Sequence, residues 1–154
     1  MESFFSIFIA VSALLAMIIC RIGHQPVIRL SRRKQFRIKE KGLLHFTSIS
    51  NAEAILQKGQ ITGHLSQGSK DEPKFGPTIW FYPYKGNNVD SARKKLTCTK
   101  KYKDDPSCYS ACLLVTDLDN VDFSCFRGRL QDDSRIYRGD QITGHFDLLK
   151  TWND

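Results

Sequence analysis

The sequence of 154 residues lacks the short motifs that mark several common enzyme and metal sites. It contains no Cys-x-x-Cys pair and no Cys/His spacing of a zinc site. It also contains no glycine-rich phosphate-binding loop and no glycine-flanked nucleophilic serine. These absences argue against a structural zinc ion, a P-loop nucleotide hydrolase and a serine hydrolase. An Asn-x-Ser/Thr acceptor for N-glycosylation is missing as well, which agrees with a domain that faces the cytoplasm.

Cysteine is present, but its role depends on the compartment. The five cysteines are Cys20, Cys98, Cys108, Cys112 and Cys125. In the cytoplasm the thiols stay reduced, whereas outside the cell four of them are available for two disulfides. Cys112 and Cys125 lie in apolar strand patterns, so we predict that they are small core residues.

Charged side chains are absent from residues 4–20, an apolar run of 17 residues interrupted only by Ser6 and Ser12. This length is the lower limit for a helix that crosses a bilayer. A secretory signal is the alternative, but it requires basic residues before the run and a small-residue cleavage site after it, and neither is present. We therefore predict an uncleaved transmembrane anchor over residues 1–22.

Positive charge is concentrated directly after this run. Residues 21–41 contain eight basic side chains and one acidic side chain, so the formal net charge of +7 lies here and the rest of the chain is balanced. Basic flanks stay on the cytoplasmic side, so we predict a single-pass membrane protein whose C-terminal domain faces the cytoplasm. The segment Arg29–Lys41 would attract anionic lipid head groups. A nucleic-acid partner is disfavoured because the folded part has no net charge for phosphates, whereas a protein target or partner stays open.

Composition divides the chain into three parts. Residues 1–22 are the predicted anchor, residues 23–41 a basic juxtamembrane linker, and residues 42–154 a single folded domain. Gln25-Pro26 breaks any helix that continues from the anchor. An edge strand around Val27–Leu30 is the alternative to a linker. The domain of roughly 110 residues is long enough to bury one modest core.

The domain begins with a short strand and a helix. Apolar residues at three- and four-residue steps predict a helix from Ile49 to Leu56. Ser50 and Glu53 have the spacing of a capping box, and Gly59 suits a left-handed helix end. His45 then lies at the end of a strand, where rigid neighbours can hold its side chain toward a cleft. The alternative is that His45 is only a hydrogen-bonded residue at a strand end.

Strands dominate the rest of the sequence. The aromatic run Pro77–Tyr84 predicts a strand with Trp80 and Tyr82 on one face and Ile79 and Phe81 on the other. Further strands are predicted at residues 109–118, 121–126 and 135–142, with a short helix at residues 89–96. We therefore predict an α+β fold with a mixed, mostly antiparallel β-sheet and few helices.

One pentapeptide, Gln-Ile-Thr-Gly-His, occurs twice, at residues 60–64 and 141–145. No longer similarity surrounds the two copies, which argues against a repeat architecture. We interpret them as chance, or as two similar exits from a strand into a turn.

Three motifs in order resemble those of ADP-ribosyltransferase-like domains. The first is Leu44-His45-Phe46-Thr47-Ser48, followed by a helix that ends near Gly59. The second, Gly76-Pro77-Thr78-Ile79-Trp80-Phe81, is similar to the family's glycine and apolar-aromatic strand. The third, Arg138-Gly139-Asp140-Gln141-Ile142, resembles the acidic element of the His-Tyr-Asp class of bacterial polymorphic-toxin transferases. The resemblance covers about residues 42–145.

The resemblance implies a split β-sheet that holds NAD in a central cleft. His45 would hydrogen-bond the ribose on the nicotinamide side with the support of Thr47, and the aromatic strand would stack on the nicotinamide. Asp140 would orient a ribose hydroxyl or stabilise the positive charge that develops when the glycosidic bond breaks. The implied catalytic residues are His45 and Asp140, and the implied NAD-binding residues are His45, Thr47, Gly76, Trp80 and Tyr82. Trp80 at the family's tyrosine position and Thr78 at its second glycine leave room for a pocket that does not bind NAD productively.

The predicted function is therefore a membrane-anchored ADP-ribosyltransferase-like protein that uses NAD to modify a macromolecular target, as a toxin or defence effector. The alternative is a non-catalytic domain of the same fold that binds a partner or acts as an immunity-type protein at the membrane. A third hypothesis is an anchored α+β protein of unrelated fold whose basic segment binds lipid. No metal site is predicted.

Overall fold

The computed structural model describes residues 27–64, 76–129 and 133–153, which form short strands and a few short helices. The strands are β1 (Val27–Arg29), β2 (Leu43–Thr47), β3 (Gln60–Thr62), β4 (Thr78–Pro83), β5 (Ala111–Thr116), β6 (Phe126–Arg129), β7 (Arg135–Arg138), β8 (Gln141–Thr143) and β9 (His145–Thr151). The helices are α1 (Arg32–Lys41), α2 (Ile49–Lys58), α3 (Val89–Leu96) and α4 (Lys100–Asp104). Single 3-10 turns lie at Pro106–Tyr109 and Phe123–Cys125.

Antiparallel pairing organises these strands. Seven of them form one sheet in the order β1-β6-β7-β4-β2-β5-β9, and β3 pairs with β8 in a separate two-stranded sheet. All pairings between the described strands are antiparallel. The prediction of an α+β fold with a mostly antiparallel sheet and few helices is confirmed.

The predicted transmembrane helix and membrane location need correction. Across residues 27–64, 76–129 and 133–153, no helix combines the length and apolar character that crossing a bilayer requires. The longest helices there, α1 and α2, have 10 residues each, which span about 15 Å of a hydrocarbon core about 30 Å thick. The fold class is therefore corrected by removing the transmembrane helix, and the single-pass, cytoplasm-facing location is corrected with it. The predicted anchor, residues 1–22, lies outside the described residues.

The segment predicted as a basic linker is part of the folded unit. The alternative of an edge strand is realised in β1, and α1 follows with Ser31 as its N-cap, whose hydroxyl accepts a hydrogen bond from the backbone N–H of Lys34. Leu30 and Ile38 are buried in the hydrophobic cluster that also contains Ile79 and Phe81 of the sheet. The folded unit therefore begins before residue 42, because these two apolar side chains need the sheet to cover them.

Alternation along the strands builds a core on each face of the sheet. The inner face carries Ile79 and Phe81 in a cluster that reaches α1 through Ile38, and Ile55 of α2 packs against the same cluster. The outer face carries Tyr82 in a second cluster with Phe46 of β2 and Ala92 of α3. The predicted division of β4 into two faces is confirmed. The inner-face cluster consists of Leu30, Ile38, Leu43, Ile61, Ile79, Phe81, Val115, Leu118, Phe123, Phe126, Ile142 and Phe146.

Some predicted element boundaries differ from the structure. In the predicted strand at residues 121–126, the first five residues form a bend and a 3-10 turn, and β6 begins only at Phe126. Phe123 is buried, as the alternation suggested. Residues 135–142, predicted as one strand, form β7 and β8 on either side of Gly139-Asp140. Local patterns identified the buried residues here, but the partner strands decide where pairing starts and stops.

Helix α2 begins two residues earlier than the predicted capping box. The hydroxyl of Ser48, not Ser50, accepts the hydrogen bond from the backbone N–H of Asn51 at 3.3 Å. The end of the helix at Gly59, in the left-handed conformation, agrees with the prediction.

We expect Ser48→Ala to lower the free energy of unfolding by about 1 kcal/mol, the usual cost of losing an N-cap. Ser50→Ala is the matched control, since it removes a hydroxyl from the first turn without removing the cap. Urea denaturation of both variants measures the difference. Equal losses for the two variants would contradict the assignment of Ser48 as the cap.

The two copies of the pentapeptide pair with each other. Strand β3 carries the first copy and β8 the second, and their register places Ile61 opposite Ile142 with Gln60 opposite Thr143. The pairing is therefore locally symmetric about the two isoleucines, and both are buried in the inner-face cluster. Identical sequences suit this arrangement because each copy presents the same side chains to the other. The repeat is thus a structural unit, and neither interpretation, chance or two similar exits from a strand into a turn, had predicted that the two copies pair.

Candidate functional site

A gap in the large sheet separates β2 from β4. The two strands pair only where Leu43 faces Pro83 and Leu44 faces Tyr82. Beyond this point β4 pairs with β7, and β2 continues its pairing with β5 on its other side. The strands therefore diverge at His45, and side chains instead of backbone hydrogen bonds fill the space between them.

A cavity of about 710 Å³ lies at this gap. On the inner face of the sheet, residues of α2 and β3 line the cavity. On the outer face, residues of α3, α4 and the 3-10 turn after α4 line it. Such a volume lies in the range of small-molecule and cofactor sites. Its lining residues are His45, Phe46, Thr47, Ser48, Asn51, Ala54, Ile55, Lys58, Gln60, Ile61, Thr62, His64, Thr78, Ile79, Trp80, Tyr82, Leu96, Thr99, Lys101, Asp105, Cys108 and Tyr109.

His45 connects the two diverging strands. Its Nδ1 lies 3.1 Å from the carbonyl oxygen of Trp80, and its ring lies 5.5 Å from the ring of Phe81. A carbonyl oxygen only accepts hydrogen bonds, so Nδ1 carries the hydrogen and donates it. The pattern of a strand that ends in a histidine therefore identified a residue that spans the gap.

The imidazole of His45 is neutral at physiological pH. Burial lowers its pKa to about 4, more than the bond to Trp80 raises it, and the charges of Lys101 and His64 lower it further. With the hydrogen on Nδ1, the neutral ring has a free lone pair on Nε2. His45 thus offers the cavity an acceptor for a ligand hydroxyl.

Four predicted site residues share this cavity and two do not. His45, Thr47, Trp80 and Tyr82 all contribute to its lining. Gly76 precedes β4 and is not part of the lining. The histidine strand β2 and the aromatic strand β4 therefore both contribute to the lining of one cavity.

Asp140 lies apart from them. It is exposed in the turn between β7 and β8 and does not line the cavity. Its backbone carbonyl accepts a hydrogen bond from the N–H of Gly63 at 2.7 Å, and the neighbours of Gly63, Thr62 and His64, do line the cavity. Asp140 thus supports the cavity wall through its backbone, and its carboxylate is not brought to His45.

Sequence reasoning missed several groups of the cavity. Lys58 at the end of α2 and Lys101 on α4 add positive charge from opposite walls. Asp105 precedes the 3-10 turn and Tyr109 is its last residue; Asp105 caps the turn by accepting hydrogen bonds from the backbone N–H and the hydroxyl of Ser107. The only signal for Lys101 and Asp105 was the polar stretch after α3, which resembles an ordinary exposed loop.

Thr78 adds a polar group without a partner. Its residue is 6% exposed, and its Oγ1 has no hydrogen-bond partner in the described part of the chain. A buried hydroxyl left unpaired costs free energy, so such groups are usually satisfied by a partner. The sequence departs from the family motif at this position, where threonine replaces the second glycine.

Similarity to known proteins gives no independent guide to this cavity. Comparison with protein-family models, with curated proteins and with solved structures found no match. Within residues 27–64, 76–129 and 133–153, no group of three or more His, Cys, Asp or Glu side chains is placed to hold a metal ion. The chemistry of the site therefore rests on a neutral imidazole, aromatic rings and two lysines.

Proposed function

We propose that the cavity binds NAD and that the protein is an ADP-ribosyltransferase-like protein that modifies a macromolecule, as a toxin or defence effector. The observation that carries this proposal is the neutral His45, held across the gap between β2 and β4 beside Trp80 and Tyr82. The same arrangement of histidine strand, helix and aromatic strand is what the sequence resemblance implies.

The chemistry of the cavity matches the parts of a dinucleotide. Nε2 of His45 can accept a hydrogen bond from a ribose hydroxyl. Lys58 and Lys101 are suited to the negative charge of a diphosphate. Aromatic rings at Trp80, Tyr82 and Tyr109 are suited to planar groups such as nicotinamide and adenine. Each of the three chemical parts of NAD thus has a complementary group in one cavity.

Transfer of ADP-ribose requires one bond to break and one to form. The bond from C1′ of the ribose to the nicotinamide nitrogen breaks, and nicotinamide leaves as a neutral molecule with the electron pair. A nucleophilic oxygen or nitrogen of the acceptor bonds to C1′ and releases its proton to solvent. Positive charge grows on the ribose during this step, so a nearby carboxylate would stabilise the transition state.

The position of Asp140 favours a second candidate function, a nucleotide-binding domain without transferase activity. Its exposed carboxylate lies outside the cavity, whereas Asp105, which lines the cavity, is engaged by Ser107. In this second function, NAD or a related nucleotide would control binding of a partner protein. Both candidates share the NAD site and differ only in the chemical step.

Calorimetric titration of the full chain with NAD tests the shared site. We expect the wild-type chain to bind NAD with a submillimolar dissociation constant. We expect His45→Ala to bind NAD at least about tenfold more weakly, because the variant loses a neutral hydrogen bond to the ligand and the positioning of the ligand that this bond provides. His145→Ala is the matched control, because this exposed histidine pairs with Asp147 outside the cavity. Absence of binding at millimolar NAD would contradict both candidates.

Labelled NAD separates the two candidates. Transfer of labelled ADP-ribose to a macromolecule by the wild-type chain, and its loss in His45→Ala, supports the transferase. Binding of NAD without any transfer supports the non-catalytic domain. Unchanged transfer by His45→Ala would remove His45 from its assigned role.

A further inference from the structure

Helix α1 turns one large apolar side chain away from the protein. Phe36 is 67% exposed, the largest exposed fraction among the large apolar side chains in the described part of the chain. Ile38, two positions later and about 160° around the helix, is buried in the inner-face cluster. Gln35 supports the same orientation, because its side-chain amide donates a hydrogen bond to the carbonyl of Leu30. Phe36 therefore lies on the side of α1 opposite to the one that packs on the sheet.

Three arginines surround Phe36 on this outward side. Arg32 and Arg33 lie one turn before Phe36, and Arg37 follows it directly. All three arginines are exposed. In the residues that the structure describes, none of them forms an ion pair with a carboxylate, and neither does Glu40, the one acidic residue of the helix. We call this surface the α1 patch; it consists of Arg32, Arg33, Phe36 and Arg37.

The charges of α1 do not suit the helix by itself. Its first turn, residues 32–34, holds three basic side chains and no acidic one, although the N-terminal end of a helix favours negative charge. Arg33 and Arg37 are one turn apart, where like charges destabilise a helix. The ion pair of Lys39 with Asp119 leaves the α1 patch unpaired. A negatively charged partner would therefore relieve repulsion within α1 as well as bind to it.

We propose that the α1 patch docks on an anionic lipid surface, with Phe36 inserted among the head groups and the three arginines paired with lipid phosphates. A helix that lies on a membrane surface presents apolar side chains next to basic ones in this way. Basic side chains gain affinity at an anionic leaflet, and a guanidinium group binds a phosphate through two hydrogen bonds. The contact is peripheral, so it needs no helix that crosses the bilayer. With a single apolar side chain it is reversible and depends on salt.

A lipid surface fits the α1 patch better than a protein partner does. The outward side of a helix is convex, and Phe36 is the one large apolar side chain on it. A stable protein interface buries about 800 Å² on each partner, with a core of several apolar side chains. The sequence alone assigned anionic lipid to the whole segment Arg29–Lys41. The fold narrows this assignment to one side of α1, and it concerns where the domain acts, independently of the NAD site.

Vesicle co-sedimentation of the full chain tests the role of charge. We expect the chain to bind vesicles with about one third phosphatidylserine at least about tenfold more tightly than vesicles of phosphatidylcholine alone. Arg33→Gln/Arg37→Gln should weaken binding to the anionic vesicles at least about tenfold. Lys94→Gln/Lys95→Gln is the matched control, because it removes the same charge from α3, which packs on the outer face of the sheet. We expect less than about a threefold change for this control.

Fluorescence quenching by lipids brominated on their acyl chains locates the contact. Phe36→Trp adds an indole to the α1 patch, and Lys95→Trp adds one to α3 as the matched control. On anionic vesicles we expect quenching of the indole added at residue 36, and none of the indole added at residue 95 beyond the background of Trp80 and Trp152. The apolar run at residues 4–20 favours lipid by itself, so both experiments compare variants of the full chain.

Three results would overturn the proposal. They are equal affinity for the two kinds of vesicle, equal losses for the two double variants, and equal quenching at residues 36 and 95. Anionic vesicles left unbound, with polyglutamate or an oligonucleotide bound through Arg33 and Arg37, would overturn it in favour of a protein or a nucleic acid. The measurements contain no NAD, so their outcome is independent of the calorimetric titration.

Discussion

Gly42→Ala is expected to lower the free energy of unfolding by about 3 kcal/mol or more. Gly42 joins α1 to β2 with φ of 85° and ψ of −175°, a conformation that side chains rarely adopt. A Cβ atom there would lie 2.6 Å from the carbonyl oxygen of Val115 and 3.0 Å from a methyl carbon of Leu114. Backbone strain and overlap with β5 thus add at one position, directly before the strand that carries His45.

Gly59→Ala is the matched control for this prediction. Gly59 also ends a helix with positive φ, 64°, but no atom lies within 4 Å of the position that a Cβ would occupy. We expect a loss of about 1 kcal/mol, the cost of a left-handed conformation without overlap. Chemical denaturation of both variants measures the difference, and a Gly42→Ala variant as stable as Gly59→Ala would contradict the assigned overlap.

Acidification is expected to destabilise the protein through His45. Its pKa is about 4 in the folded chain against 6.5 for the free side chain. Between these two pH values the imidazole is protonated in the unfolded chain and neutral in the folded chain. The contribution of His45 to stability is therefore complete above pH 6.5 and decreases as the pH falls toward 4. From pH 7 to pH 4, His45 should remove about 3 kcal/mol from the free energy of unfolding.

His45→Asn isolates this effect from other acid-sensitive groups. Asparagine does not titrate, and its amide can still donate to the carbonyl of Trp80. We therefore expect the free energy of unfolding of the variant to fall less between pH 7 and pH 4, by about 3 kcal/mol, than that of the wild type. Parallel pH profiles for the two proteins would show that the folded state does not keep the imidazole neutral.

Local sequence patterns were sufficient for the strand and helix that carry His45. Residues 43–59 form the predicted strand and helix, because the apolar residues of β2, the helical spacing of α2 and the glycine at its end all act within a few residues. The two faces of β4 followed from the same kind of local rule. The position of the cap at Ser48 did not, because the pairing of β2 with β5 extends to Thr47 and leaves the next residue to start the helix.

Long-range contacts determined what the sequence did not reveal. The basic composition of residues 23–41 suggested a linker, but two apolar residues, Leu30 and Ile38, are enough to tie β1 and α1 to the core. Asp140 was singled out by a local resemblance in sequence, yet its place is set by the pairing of β7 with β4 and of β8 with β3.

The pairing of β3 with β8 has a consequence for protein synthesis. The wall formed by residues 60–62 is held by residues 141–143, so about half of the chain must be made between the two partners. Pairings between such distant segments form late because a long loop has to close first. A nascent chain whose residues 141–143 have not yet left the ribosome therefore lacks the partner of β3, and this wall of the cavity is complete only after they have emerged.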